Sequence, residues 1–359
     1  MLHPIKEKNL IDLARYQRSL WSTPRLQYLF FELTDCCNLY CRHCGSRCSG
    51  KNKNYLPVSV IIKTMKEIAE AYRAAEILIC LTGGEPMLYP ELYKVVAAAH
   101  DLGFPVGITS NGTLIDADAA RRLSQAGLDT ISISIDGIGS VHDEFRCSEG
   151  CFEKAMNGIR YLNDVGLSVQ PLTVVHKKNL AQLEKLYRLF RQEGVYSWRL
   201  TNMDPIGRGR INSDLLLSGS ELRDFLEFVR SKRFDPDNSM EITMSCSHFL
   251  TYEYEHEVRD NYFQCGAGTK IASIMVNGDI GACLDIERRS DLIQGNVFKD
   301  DFIQVWKKEF GVFRKDRTES SKVCRGCKER HVCLGDSAHT WNYEEQEPIY
   351  CAAKMLEEE

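Results

Sequence analysis

The stretch "YLFFELTDCCNLYCRHCG", residues 28–45, joins an apolar run that reads as a β-strand to a loop with four cysteines in nine positions. Counted from Cys37, the spacing is Cys37-x-x-x-Cys41-x-x-Cys44. Zinc favours four closed ligands, commonly drawn from two separated pairs. Three thiolates on one short loop instead suit an iron–sulfur cube with one iron left without a protein ligand. Cys36 offers a competing register, and Cys48 follows the loop.

Moving outward, the same succession of apolar run, turn and amphipathic segment repeats. Strands are expected at 28–33, 76–81, 105–109, 130–135, 167–174 and 197–202. Helices are expected at 58–75, 90–102, 116–126, 151–165 and 179–193, where apolar residues recur every three or four positions. Asp116 and Asn179 are placed as N-caps, and Gly103, Gly127, Gly166 and Gly194 where helices stop. Six β–α pairs in a row predict a parallel sheet. The chemically distinctive residues all follow strand ends: the cysteines, then "TGGEP" (82–86), "SNGT" (110–113) and "DG" (136–137). A β/α barrel and an open doubly wound sheet both bind ligands at that edge, so periodicity leaves the two open. Beyond residue 203 the alternation breaks into the Gly-rich "DPIGRGRINS" (204–213) and a helix over 218–233. From Cys265 the chain is rich in cysteine and turns, with a hairpin signal at Asn277-Gly278.

The 359 residues allow a barrel-sized domain with a smaller one, and 43% hydrophobic residues supply a core. A formal charge of −5 gives no clustered positive field for nucleic acid. The charged N-terminal stretch lacks the apolar run of a signal peptide, and no segment reaches the ~18 apolar residues of a membrane span. Fifteen cysteines in such a chain point to metal in a reducing, cytoplasmic setting rather than to a disulfide scaffold.

On these residues the chain resembles the radical S-adenosylmethionine (SAM) enzymes, whose signature is CxxxCxxC after the first barrel strand. The resemblance implies a partial (β/α)6 TIM-like barrel in an α/β fold. It also implies a 4Fe–4S cluster on Cys37, Cys41 and Cys44 whose free iron is chelated by SAM. His43 stands where the family carries an aromatic residue. "TGGEP" would receive the SAM amino group, with Gly83 and Gly84 permitting close approach and Glu85 supplying a carboxylate. Asn111, Ser134 and Asp136 become candidate contacts to ribose or methionyl groups, and Arg146 a candidate partner of the SAM carboxylate.

The later cysteines resemble the SPASM extension of that family, with the pattern C…GxxxxC…CxxCx5CxxxC…C. Cys324, Cys327, Cys333 and Cys351 would hold an outer auxiliary cluster, although zinc also suits four such cysteines. Cys265 and Cys283 would hold an inner one, but Ser337 stands where the pattern asks for cysteine. Asp336, Ser337 and His339 lie within reach in sequence, and a 2Fe–2S cluster or none is equally allowed. Expected domains are 1–24 (helical), 25–205 (barrel), 206–260 (linking helices) and 261–359 (SPASM).

The resemblance implies a peptide- or protein-modifying enzyme, with the substrate bound directly or through a separate recognition protein. An electron donor such as flavodoxin or ferredoxin would feed its clusters. The formylglycine-forming alternative is weakened because Leu284, not Asp, follows Cys283; Asp285 remains a candidate base. Small-molecule oxidation is a further alternative, and a non-catalytic iron–sulfur electron carrier one of another class.

Overall fold

The computed structural model describes residues 4–244 and 248–357; Cys246, for which the sequence suggests no motif, lies outside them. The six expected strands are present as β1 (Tyr28–Glu32), β2 (Leu78–Thr82), β3 (Val106–Ser110), β4 (Thr130–Ser134), β5 (Ser168–Val175) and β6 (Ser197–Asn202). Each pairs in parallel with the next. The sheet continues past both ends of this set. β7 (Glu241–Met244) adds to β6 in parallel, and β8 (Ile271–Ile274) adds to β1 in parallel. A hairpin turns β8 into β9 (Asp279–Gly281), and β10 (Gly295–Asn296) extends that edge. The full order is β10-β9-β8-β1-β2-β3-β4-β5-β6-β7.

The six-strand expectation is thus corrected by addition. β7 is only four residues long, too short for its alternation to stand out from the helical stretch 206–260. β8 comes from the cysteine-rich part of the chain, so the two regions share one sheet. The Asn277-Gly278 turn sits where the hairpin signal put it, between β8 and β9.

Helix α1 (Pro4–Ser22) precedes the sheet and packs on the C-terminal part, with Leu10 against Phe249 and Val332. The crossovers are α2 (Val58–Ala71), α3 (Leu92–Asp101), α4 (Ala117–Gln125), α5 (Ser140–Arg146) with α6 (Cys151–Asp164), α7 (Leu183–Gln192) and α8 (Gly219–Arg233). Asp116 caps α4 by accepting from the Ala119 amide at 2.8 Å. Ser218 and Glu221 close a reciprocal capping box on α8. Asn179 is not the expected cap of the helix before Gly194. Its Oδ1 accepts from the His176 amide, and its Nδ2 donates to the Asp136 and Val174 carbonyls, so α7 starts only at Leu183 after a 3-10 turn. The asparagine ties the ends of β4 and β5 instead.

Trp198 shows why the crossovers stay on the sheet. Its ring meets Phe190 of α7 and Phe228 of α8 edge-on, and its Nε1–H donates to Thr173 at 2.9 Å. Trp198→Ala is expected to cost about 3–5 kcal/mol, read as a lower denaturant midpoint with an unchanged slope.

Of the remaining helices, α9 (Thr251–Val258) packs on α8, α10 (Phe302–Lys308) packs on α2, α11 (Arg330–Cys333) carries Cys333, and α12 (Ala352–Glu357) follows Cys351. No described helix is long and apolar enough to cross a membrane.

Candidate active site

The loop after β1 is held from three sides. Thr34 Oγ1 donates to the Asn54 carbonyl, and Asp35 accepts from the Asn54 amide and side chain. From across the barrel mouth, Arg208 donates to the Cys41 and Cys48 carbonyls at 2.6 and 3.0 Å and lies over Tyr40. Gly207 has φ +50°, and a side chain there would meet the Cys44 carbonyl oxygen at 2.3 Å. The Gly-rich 204–213 loop is therefore a clamp on the cysteine loop, a role that its composition alone does not reveal.

The TGGEP turn meets the same loop. The amides of Gly84 and Glu85 donate to the Thr34 and Cys36 carbonyls at 2.7 and 2.8 Å. A Cβ on Gly84 would lie 2.1 Å from the Cys36 carbonyl oxygen, and one on Gly83 2.3 Å from that of Thr34. The close approach that these glycines permit is thus to the cysteine-loop backbone. Gly84→Ala is expected to push this loop away, costing about 3 kcal/mol and lowering iron content per chain after reconstitution. Glu85 is buried, with one oxygen accepting from Ser110 Oγ and the Met87 amide and the other from the Asn111 amide. Burial raises its pKa while those donors counter. Its expected role toward an ammonium group therefore shares the carboxylate with a bracing one.

Cys37, Cys41 and Cys44 are gathered within mutual electrostatic range and pack with Cys48 and Cys151. Burial pushes the Cys37 thiol up to about 12 and also raises Cys41, against the pull of Arg146. The Cys44 thiol is lowered by its neighbour Cys48 against the opposing effect of burial. Cys48 packs among these three cysteines.

Arg146 is no surface residue. Its Nε donates to Asp136 at 2.6 Å and its NH1 to Cys41 Sγ at 3.6 Å. The other Asp136 oxygen accepts from the Val174 amide. Asp136 and Arg146 are therefore committed to each other, and Arg146 sets a buried positive charge against Cys41 of the cysteine loop. Asn111 bonds Asn38 and Thr113, and Ser134 is buried at the end of β4. His43 stacks on Phe145 (4.6 Å) and Phe145 on His176 (3.9 Å). His43 Nδ1, His142 Nε2 and His176 Nε2 are buried without a hydrogen-bond partner.

The outer cysteines converge as well. Cys324, Cys327, Cys333 and Cys351 line one cavity of about 480 Å3. At the inner pair, the Ala338 amide donates to Cys265 Sγ at 3.4 Å, which places buried Ser337 beside it; Tyr343 lies within electrostatic range of Cys265 and Cys283. Asp336 and His339 are committed elsewhere, to His248 and Asp204. Asp336 also lines a cavity with Cys265, while its carboxylate is held by His248 and the Phe249 amide.

Between the barrel mouth and the C-terminal region lies a cavity of about 230 Å3, lined by residues that include Arg47, Arg210, Asp285, Arg288 and His339. Asp285 stands close over Gly45, next to Cys44. It is exposed to the cavity, and desolvation by the neighbouring protein raises its pKa against the pull of His339. A wider groove of about 630 Å3 adjoins this cavity through Arg210 and Glu287.

Residues 31–190 match the profile of the Radical SAM superfamily, and residues 265–328 match SPASM, an iron–sulfur cluster-binding domain. The AdoMet-dependent heme synthase of Nitratidesulfovibrio vulgaris is 30% identical over 338 residues, 89% of each chain. The chain belongs to the radical SAM superfamily. Pre-heme d1 synthase of Dinoroseobacter shibae is 32% identical over 334 residues, 86% of this chain and 81% of that one. In structure, Streptococcus suis SuiB bound to its precursor peptide SuiA superposes with a TM-score of 0.76 at 20% identity, covering 96% of this chain and 79% of SuiB.

The residues of this radical SAM protein fit the cofactors its family uses. Among the described residues no three His, Cys, Asp or Glu side chains close on a single ion, and a cube taking one thiolate per iron does not ask them to. Positive iron beside Cys37 and Cys41 would offset the desolvation that now disfavours their thiolates. The unpartnered histidine nitrogens around Arg146 leave polar capacity for a ligand. Sequence reading missed Gly207 and Arg208, and also His142 and His176, whose isolated histidines carry no local pattern.

Proposed function

We propose that this radical SAM enzyme abstracts hydrogen from a side chain of a carboxylate-bearing tetrapyrrole. The observation that carries the reading is similarity over 89% of both chains to a heme synthase, supported by a pre-heme d1 synthase. The cavity chemistry bears on this: Arg47, Arg210 and Arg288 line the inner cavity, where Arg288 already pairs with Glu32 and Arg210 with Glu287, and guanidinium groups suit carboxylates. A flat macrocycle would occupy the wider groove, with one side chain reaching past Asp285 toward the Cys44 loop.

Cys37, Cys41 and Cys44 would hold the 4Fe–4S cluster. Gly83, Gly84, Asn111, Ser134, Arg146 and His43 would surround SAM. Bound together, cluster and SAM supply a carbon radical that takes a hydrogen atom. Arg146 holds charge against the thiolate site, and the 204–213 clamp keeps the loop in place. Cys324, Cys327, Cys333 and Cys351 would carry an auxiliary cluster that exchanges electrons with a small carrier such as flavodoxin or ferredoxin.

The test is anaerobic. Reconstituted protein, SAM and dithionite are mixed with Fe-coproporphyrin III or, separately, with candidate peptides. The expected result is 5′-deoxyadenosine above the substrate-free level with Fe-coproporphyrin III, together with a mass change in the porphyrin. A response to peptide alone would put the peptide-modifying reading in its place.

A further inference from the structure

Of the three arginines that line the inner cavity, two are already engaged. Arg288 donates to the buried carboxylate of Glu32. Arg210 faces Glu287 at 3.8 Å, and its Nε donates to the Pro205 carbonyl at 3.2 Å. Arg47 differs from both. Among the described residues its guanidinium has no hydrogen-bond or ion-pair partner, and it is exposed where it lines the cavity. The charges that act on Asp285 in the same cavity are His339, Asp204 and Arg288, so Arg47 does not answer that carboxylate either.

The backbone adds a second observation. Arg47 has φ +54°, in the left-handed region that side chains with a Cβ avoid and glycine enters freely. The turn itself serves the cysteine loop, because the Arg47 amide hydrogen-bonds Cys44. A glycine would make that turn with less strain. The arginine therefore adds nothing to the turn except a side chain, which stands on the cavity wall with its charge unpaired.

We propose that Arg47 is a specificity-determining residue that receives a carboxylate of the substrate in the inner cavity. The inference rests on the tetrapyrrole reading of the function, and it assigns binding only, with no bond made or broken by Arg47. A guanidinium offers a carboxylate two parallel N–H donors together with its charge. Comparison with the other two arginines decides between them. Arg288 could take a new carboxylate only by leaving Glu32 buried and alone, which is strongly unfavourable, and Arg210 would have to exchange Glu287. Arg47 binds without breaking any pair.

Arg47→Gly tests this, since it removes the guanidinium and keeps the turn. The full chain is reconstituted anaerobically and titrated with Fe-coproporphyrin III by difference absorbance, without SAM or reductant. The Kd is expected to rise about tenfold in Arg47→Gly, with iron content unchanged and the melting temperature within a few degrees of wild type. The tetramethyl ester of Fe-coproporphyrin III, in the same detergent-containing buffer, is expected to bind wild type no more tightly than the variant. An unchanged Kd for the acid would overturn the assignment. So would an equal loss for acid and ester, or a loss of iron, since either would mean that the side chain acts through the shape of the loop. The two readings fail separately. A wild type that does not bind Fe-coproporphyrin III removes the tetrapyrrole reading and this inference with it, whereas tight binding by both proteins removes the role of Arg47 alone.

Discussion

Cys41→Ala is expected to bring 5′-deoxyadenosine formation from SAM down to that of a protein-free control. Iron content should fall by about four atoms per chain, since a cube cannot be kept on two of its three thiolates. The effect should fall on chemistry and not on the fold. Arg146 loses one sulfur contact but keeps Asp136, so no buried charge is left alone. The melting temperature should therefore stay within a few degrees of wild type. Persistent SAM cleavage in this variant would mean that the first cysteine loop is not the reaction centre.

The second large effect belongs to His248. It is fully buried between Asp204 and Asp336. Burial alone would strip its proton, but the two carboxylates outweigh it and hold the pKa up to about 10, from an ordinary 6.5. Replacing it with leucine would leave two buried carboxylates facing each other, and about 3–5 kcal/mol of stability should be lost. The sign with pH follows from the raised value. The stabilisation is complete below about pH 6.5 and disappears as pH rises through 10. Asp204, held well below the usual carboxylate range by His248 and His339 despite its burial, contributes above its ordinary 3.8 and loses that contribution in acid. The melting-temperature gap between wild type and His248→Leu should be widest between about pH 4 and 6.5 and should narrow toward pH 10. A gap that is constant with pH would mean that His248 is not charged in the fold.

The carboxylates of Asp136 and Glu85 mark the limit of motif reading. Each stands at a strand end where the family resemblance anticipates a ligand contact. Yet each is buried and already accepts from this chain's own donors. Burying a carboxylate without partners is costly, so the fold supplies Arg146, Ser110 and backbone amides first. A motif gives the position of such a group; it does not reveal how many of its lone pairs the protein has already taken.

The sequence by itself determined the six parallel strands β1–β6, the helices between them, the hairpin at Asn277-Gly278 and the succession of cysteine loop, TGGEP and later strand-end residues along one edge. These are local properties: apolar periodicity records which face is buried, and spacing records which side chains share a loop. Only the tertiary structure decided that β8 closes onto β1, that the Gly207–Arg208 loop clamps the cysteines and that Arg146 is buried against Cys41. The network of His248, Asp204, Asp336 and His339 is the clearest case, since its members meet across 44, 88 and 135 positions of chain. The partner of a buried imidazole is set by strand order and by the path of the connecting loops, and no repeat in the sequence encodes that meeting.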